Sequence, residues 1–250
     1  MNIWAHRGCS YRFPENTLQA FREACQYDIT GVEFDVHFTK DKELVVIHDE
    51  WVDRTTEGTG EVRVYTLTGL QSLRIKSQTG LFPATPEVRI PTLREVLTLL
   101  RPFCRERGLR INIELKTGKF LYPGIEPAAV RMVRDFGLMD NVVFSSFHPK
   151  SVVLVRRAAP EAEVGFLADK MKTCVLLTRL TGASAIHPGL ADYQQALNPG
   201  TVPVRVWSEP PTEYLYPDQT PFDALDIAAL ERQGVTDLFT NVPERYCARV

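Results

Sequence analysis

The chain has 250 residues, 44% hydrophobic and 24% charged, enough to bury a substantial core and ordinary for one large domain. Lys and Arg number 29 against 31 for Asp and Glu; the formal charge of −2 argues against a coat for nucleic acid or anionic membrane, which needs a net basic face. No basic leader precedes an apolar run at the start, no stretch approaches the ~20 apolar residues of a membrane span, and the five scattered cysteines form no CxxC pair, so a cytoplasmic protein with free thiols is expected.

Short apolar runs alternate with helical patterns from end to end. A strand over 2–5 runs into His6-Arg7. Asn16 with Gln19 three residues on, after Pro14, reads as a capping box that opens a helix near 17–27. A strand near 31–37 follows, then after only Lys40-Asp41-Lys42 a second over 43–48. That connection is too short for a helical crossover, so 43–48 is expected as a hairpin partner outside the regular repeat. Residues 49–90 have weak periodicity and several Gly and Pro, which predicts an insertion capping one end of the fold.

Thr92 as cap, with Glu95 at the third helical position, opens a helix near 92–106. Strands near 110–115, 142–146, 163–167, 183–187, 203–207 and 237–240 then alternate with helices near 126–136, 149–158, 170–180, 190–197 and 222–233. Gly108, Gly137 and Gly234 mark helix exits. Strand and helix repeated about eight times predict an α/β fold, a (β/α)₈ TIM barrel in a single domain over 1–250. The open doubly wound alternative lacks its glycine-rich phosphate turn, because Arg7-Gly8-Cys9 is not GxGxxG.

Barrel enzymes carry their chemistry at the C-terminal ends of strands, and polar residues fall there repeatedly. Side chains alternate faces along a strand, so Glu33 and Asp35 share one face, and Glu114 and Lys116 share another. The intervening Val32, Phe34, Val36, Ile113 and Leu115 belong under the outer helices, which turns the acids into the barrel near its rim. Crowded buried carboxylates are costly without compensation, and a hard divalent cation with oxygen ligands is the natural one. Each acid alone could be a structural ion pair with Arg7 or Lys116; the three together point to a metal centre. His6 and His48 end apolar strands and converge on this cluster as a candidate acid/base pair, while Arg7 and Lys116 supply charge for a phosphate. His37 lies on the face of Glu33 and Asp35 and is left without a role.

His6-Arg7-Gly8, Pro14-Glu15-Asn16-Thr17, Glu33-Phe34-Asp35-Val36, Leu44-Val45-Val46-Ile47-His48-Asp49, Asp53-Arg54-Thr55-Thr56, Ile90-Pro91-Thr92-Leu93, Glu114-Leu115-Lys116 and Ser145-Ser146-Phe147 follow in order. Together they closely resemble the glycerophosphodiester phosphodiesterase family over essentially the whole chain, most densely over 5–60. The resemblance implies a TIM barrel with a small insertion after the second strand and a Mg²⁺ or Ca²⁺ ion on Glu33, Asp35 and Glu114. It implies His6 and His48 as acid and base, Arg7 and Lys116 as phosphate ligands, and a route through a cyclic phosphate to sn-glycerol 3-phosphate.

One departure stands out. The family usually shows Trp-Thr-Val-Asn after the seventh strand, where this chain has Trp207-Ser208-Glu209-Pro210. Trp207 is expected to wall the substrate site, and Glu209 and Pro210 put the preference for the leaving alcohol in question. Two rival readings stand beside the water-soluble substrate. In one, a lysophospholipase D-like enzyme takes a lipid phosphodiester over a groove built from Leu81-Phe82-Pro83 and Phe120-Leu121-Tyr122. In the other, the barrel binds phosphate compounds without turnover. The absence of any amphipathic membrane helix favours the soluble glycerophosphodiester and no stable membrane association.

Overall fold

The structure, a computed structural model, describes residues 1–76, 84–85, 87–208 and 225–250. Eight parallel strands run β1 (Asn2–His6), β2 (Gly31–Phe38), β4 (Arg110–Leu115), β5 (Val142–Ser146), β6 (Glu163–Ala168), β7 (Ala185–Pro188), β8 (Arg205–Trp207) and β9 (Asp237–Thr240). Each pairs with the next from β1 to β7, and β8 pairs with β9, which returns to β1. The seam between β7 and β8 is held by single bridges, Ile186 to Val204 and Gly189 to Trp207, so the barrel is nearly closed. β3 (Leu44–Val46) pairs antiparallel with the end of β2 and stays outside the ring, as the five-residue connection over 39–43 requires.

The alternation read from sequence holds on every strand that matters to the site. Val32, Phe34, Val36, Ile113 and Leu115 face outward into the main apolar cluster, with Phe21 of helix α1 (Leu18–Ala24) edge-on to Phe34 at 5.5 Å. Fully burying a side chain of this kind stabilises by roughly 1.5–3 kcal/mol, and that drive fixes which face of β2 looks inward. Helices α3 (Leu93–Arg107), α4 (Ile125–Phe136), α5 (Pro149–Ala158) and α6 (Met171–Thr181) supply the rest of the outer layer. Thr92 and Glu95 form the predicted capping box on α3, and Gly108 closes that helix in the left-handed conformation, φ 68°. Residues 49–76 carry the short helix α2 (Leu67–Gln71) and a second apolar cluster around Val45, Ile47, Val52, Val62 and Leu70, which seats the insertion against β3.

Three local expectations need correction. Thr17, not Asn16, caps α1: the Thr17 hydroxyl accepts from the Ala20 amide at 3.2 Å. Asn16 sits at φ 56° with its side chain turned into the barrel, a long-range contact that local spacing does not encode. The helix expected over 190–197 is two 3-10 turns, Leu190–Asp192 and Gln195–Leu197, because Tyr193 and Gln194 between them are extended. The last helix, α7 (Ile227–Arg232), begins five residues later than expected; residues 222–224 lie outside the described ones. Among the described residues no helix is long and apolar enough to cross a membrane.

The floor of the barrel is charged yet closed on itself. Arg205 pairs with Glu163 and lies 3.6 Å from Asp237, Arg110 pairs with Glu163, and Trp4 Nε1 donates to Asp237 at 2.7 Å. Gly31 makes room for this plug: a Cβ there would lie 2.6 Å from both the Trp4 ring and the Arg110 carbonyl.

Candidate active site

The C-terminal ends of β2 and β4 meet at the opposite rim. Asp35 and Glu114 are register partners, with Glu33 two residues below on the same inward face. All three are buried, and one oxygen from each lies within 4.8 Å of the others. Burial, then the charges of Asp35 and Glu114, push the Glu33 carboxyl well above the usual carboxylate range. Burial also raises Glu114, against the pull of Lys116. Burial would raise Asp35 as well, but His48, Lys116 and Arg7 and a 2.9 Å hydrogen bond from Asn16 Nδ2 hold it low. Its Oδ1 is buried without a hydrogen-bond partner. Three clustered carboxylates, one kept ionised with an oxygen unsatisfied and one forced toward its neutral form, suit a hard divalent cation.

The histidines flank this cluster. His6 Nδ1 donates to Asn241 Oδ1 at 2.6 Å, which fixes the tautomer and leaves the Nε2 lone pair facing Glu33, 3.7 Å away. Burial, then Arg7, lower His6 to about 3, so the ring is neutral. His48 Nδ1 donates to Asp49 at 2.6 Å, and Lys116 Nζ lies 3.2 Å from His48 Nε2. Lys116 also reaches Glu114 at 2.9 Å and Asp35 at 3.6 Å, and these anions raise its pKa against burial. His37 stays off the cluster. Its Nε2 donates to the His48 carbonyl at 3.1 Å and its Nδ1 accepts from the Tyr122 hydroxyl at 3.0 Å, a brace for the backbone of His48.

Arg7 leaves β1 at φ 58°, which turns its side chain back toward Asp35 at 3.6 Å and Glu15 at 3.2 Å. A cleft of about 360 Å³ brings these groups together. One wall is His6, Arg7, Glu33, His48, Asn112 and Glu114; the other is Phe147, Leu167, Trp207 and Phe239. Trp207 donates Nε1 to the His187 carbonyl at 3.0 Å and meets Phe147 edge-on at 5.7 Å, so it stands on the apolar wall. Glu209 and Pro210 lie outside the described residues, as do Leu81, Phe82 and Pro83. A larger groove, about 770 Å³, lies between α1 and the approach to α3, but it gathers no histidine and none of the clustered acids, so size does not mark the chemistry here.

The eight residues singled out from sequence thus meet at one rim. Sequence reasoning gave no part in the site to Asp49, Asn241, Glu15 or Arg54, and read Asn16 as a helix cap; these five orient the site. Only Asp49 carried a local signal, its adjacency to His48.

Comparison with known proteins agrees with this geometry. The profile described as "Glycerophosphoryl diester phosphodiesterase family" matches residues 6–245, from His6 to the closing turn. The chain is 42% identical over 165 residues to the Glycerophosphodiester phosphodiesterase of Caldanaerobacter subterraneus, covering 66% of this chain and 65% of that protein. It is 37% identical over 189 residues to the Glycerophosphodiester phosphodiesterase of Bacillus altitudinis, 75% of each. The same fold occurs in an Oleispira antarctica phosphodiesterase solved in complex with the product sn-glycerol-3-phosphate, at TM-score 0.76 and 22% identity, covering 98% of this chain and 94% of that one. A profile match that runs from the first rim histidine almost to the C-terminus leaves one assignment: the chain belongs to the glycerophosphoryl diester phosphodiesterase family.

Proposed function

We propose that the chain hydrolyses glycerophosphodiesters to sn-glycerol 3-phosphate and an alcohol, using one divalent cation, Mg²⁺ or Ca²⁺. The observation that carries this reading is the charge balance at the rim. Among the described residues, Glu15, Glu33, Asp35, Asp49 and Glu114 gather there with Arg7, Arg54 and Lys116, five acids against three bases. That surplus of acids, with Glu33 pushed toward its neutral form by its neighbours, suits one divalent cation. The names of the relatives and the product held by the Oleispira protein supply the substrate class.

Glu33, Asp35 and Glu114 would hold the cation. When bound, it supplies positive charge against the phosphoryl oxygens and makes a neighbouring hydroxyl more acidic. Arg7 and Lys116 grip the same oxygens, Arg7 with a planar fork. His6 Nε2 takes the proton of the glycerol 2-hydroxyl as that oxygen attacks phosphorus. His48, oriented by Asp49, gives a proton to the departing alcohol as its P–O bond breaks. Tethering the nucleophile to its target removes much of the entropic barrier. Water then opens the cyclic phosphate with the two histidines in exchanged roles. Phe147 and Trp207 wall the side away from the charges.

The test is a panel of glycerophosphodiesters with different head groups, plus a lysophospholipid, followed by release of glycerol 3-phosphate. Turnover that stops with EDTA and returns with Mg²⁺ or Ca²⁺ is expected. Turnover unaffected by chelation would remove the metal from the reading. Preference for the lysophospholipid would replace the soluble substrate with the lipid one, which the 64% exposure of Leu121 favours.

A further inference from the structure

Arg54 is absent from the cleft wall. It sits on the insertion after β3, and its guanidinium joins two carboxylates that each hold a residue of the cleft wall. Nε and Nη2 donate to the two oxygens of Asp49, at 2.7 and 3.0 Å. Nη1 and Nη2 donate to the two oxygens of Glu15, both at 2.8 Å. One planar head therefore forks two carboxylates at once, a geometry that only a guanidinium offers. Each carboxylate holds a group of the site by the same atoms: Asp49 Oδ1 accepts from His48 Nδ1, and Glu15 Oε1 accepts from Arg7 Nη1. His48, Asp49, Arg54, Glu15 and Arg7 form one unbroken chain along the rim.

The turn that presents Arg54 is itself fixed. Gly60 N donates to Asp53 Oδ2 at 2.8 Å, and the Thr56 hydroxyl donates to the Val52 carbonyl at 2.8 Å. Val52, Thr55 and Thr56 are buried around it. Neutralising Glu15 explains one fork, since that carboxylate is buried between two arginines. It does not explain the second. Asp49 and His48 are more open to solvent than Glu15, with side chains 27% and 22% exposed against 2%, so burial is a weaker ground for the second fork. What the second fork does is lock the plane of Asp49, and through it the ring of His48.

We propose that Arg54 is a positioning residue of the phosphodiesterase reaction, setting the His48 imidazole and the Arg7 guanidinium at a fixed separation across the phosphate. This rests on the reading of the site given above. It also gives the insertion a part in turnover beyond covering one end of the barrel. A lysine at 54 keeps the charge and loses both forks, so the two groups drift independently.

The experiment compares full-length wild type with Arg54→Lys, Arg54→Ala, Asp49→Asn, Glu15→Gln and the Asp49→Asn/Arg54→Lys double variant, in Mg²⁺ or Ca²⁺ with glycerophosphoethanolamine. Arg54→Lys is expected to lower kcat/KM by about 10²-fold, the usual scale of an ångström-sized misplacement. Asp49→Asn lowers kcat, Glu15→Gln raises KM, and Arg54→Lys does both. The double variant loses little further kcat, because both changes break the same link. Arg54 is 37% exposed, so free guanidinium reaches the gap and restores Arg54→Ala, whereas ammonium does not. Melting curves establish the folded fraction of each variant. Arg54→Lys within about twofold of wild type per folded molecule, or no rescue by guanidinium, overturns the proposal while leaving the function intact. A wild type that releases no glycerol 3-phosphate overturns the reading of the site instead, and the positioning role with it.

Discussion

Replacing Glu33 by Gln keeps the shape of one crowded carboxylate and removes its charge, and the geometry sets both sign and size of the outcome. One oxygen from each of Glu33, Asp35 and Glu114 lies within 4.8 Å of the others. At an effective dielectric of about 20, two unit charges at that distance repel by about 3.5 kcal/mol. Lys116 offsets part of this, 2.9 Å from Glu114 and 3.6 Å from Asp35, and proton uptake by Glu33 relieves more. About 1–2 kcal/mol is left for the substitution to recover in metal-free protein. At about 2–4 °C per kcal/mol for a chain of this size, Glu33→Gln should melt roughly 2–8 °C above wild type in EDTA. Cation at a hundred times its Kd stabilises wild type by about 2.7 kcal/mol, or roughly 5–11 °C. The variant, one ligand short, should gain far less, so the order of melting temperatures reverses between EDTA and saturating Mg²⁺ or Ca²⁺. Thermal unfolding followed by circular dichroism in both conditions decides it. A variant that melts below wild type in EDTA, or that keeps the full cation shift, would refute the shared-cation geometry.

His6→Ala and His48→Ala should each lower kcat by about 10²–10⁴-fold with melting temperature little changed, measured by steady-state release of glycerol 3-phosphate; an active variant strikes that histidine from the pair. Burial alone would raise Glu15, but Arg7 and Arg54 outweigh it and hold the carboxyl at about 2, below its ordinary 4.5. The stability from those pairs is therefore complete above pH 4.5 and lost as pH falls toward 2, and Glu15→Gln should flatten the acid limb of denaturant midpoints in that window. An unchanged slope there contradicts the pairing. Trp4→Phe removes the indole donor to Asp237 at the floor and should cost about 1–3 kcal/mol of stability with turnover per folded molecule unchanged; altered kcat would show that floor and rim are coupled.

What the sequence made legible was whatever depends on period and spacing. The two-residue alternation placed Glu33, Asp35 and Glu114 inside and their apolar neighbours outside, and the short link after β2 marked β3 as a hairpin partner. Thr92 and Glu95 form a cap because both partners lie within one turn. Features set by distant partners were not legible. Asn16 gives up the cap of α1 for Asp35, 19 positions on, and Asn241 orients His6 across 235 positions. His37 lies on the correct face, yet Tyr122, 85 positions away, takes its ring and turns it into a brace. Arg54 fell inside a segment of weak periodicity, where nothing local says which acids its guanidinium will meet.

The inward-facing rule alone does not tell chemistry from packing, because it puts charged residues at both ends of this barrel. Arg110, Arg205, Glu163 and Asp237 are as inward as Glu33, Asp35 and Glu114, and Arg205 and Asp237 are buried as deeply. The two ends differ in balance. At the floor, two bases meet two acids around Trp4, each with a protein partner, and no further charge is needed to hold them there. Among the described residues the acids at the rim outnumber Arg and Lys by two, and Asp35 Oδ1 is buried without a hydrogen bond, with Lys116 3.6 Å away. A fold gains nothing by burying that surplus, since each uncompensated charge opposes it. A proton on Glu33 or a cation from outside the chain would relieve the excess, and that imbalance, rather than burial or conspicuous motifs, separates the rim of the barrel from its plug.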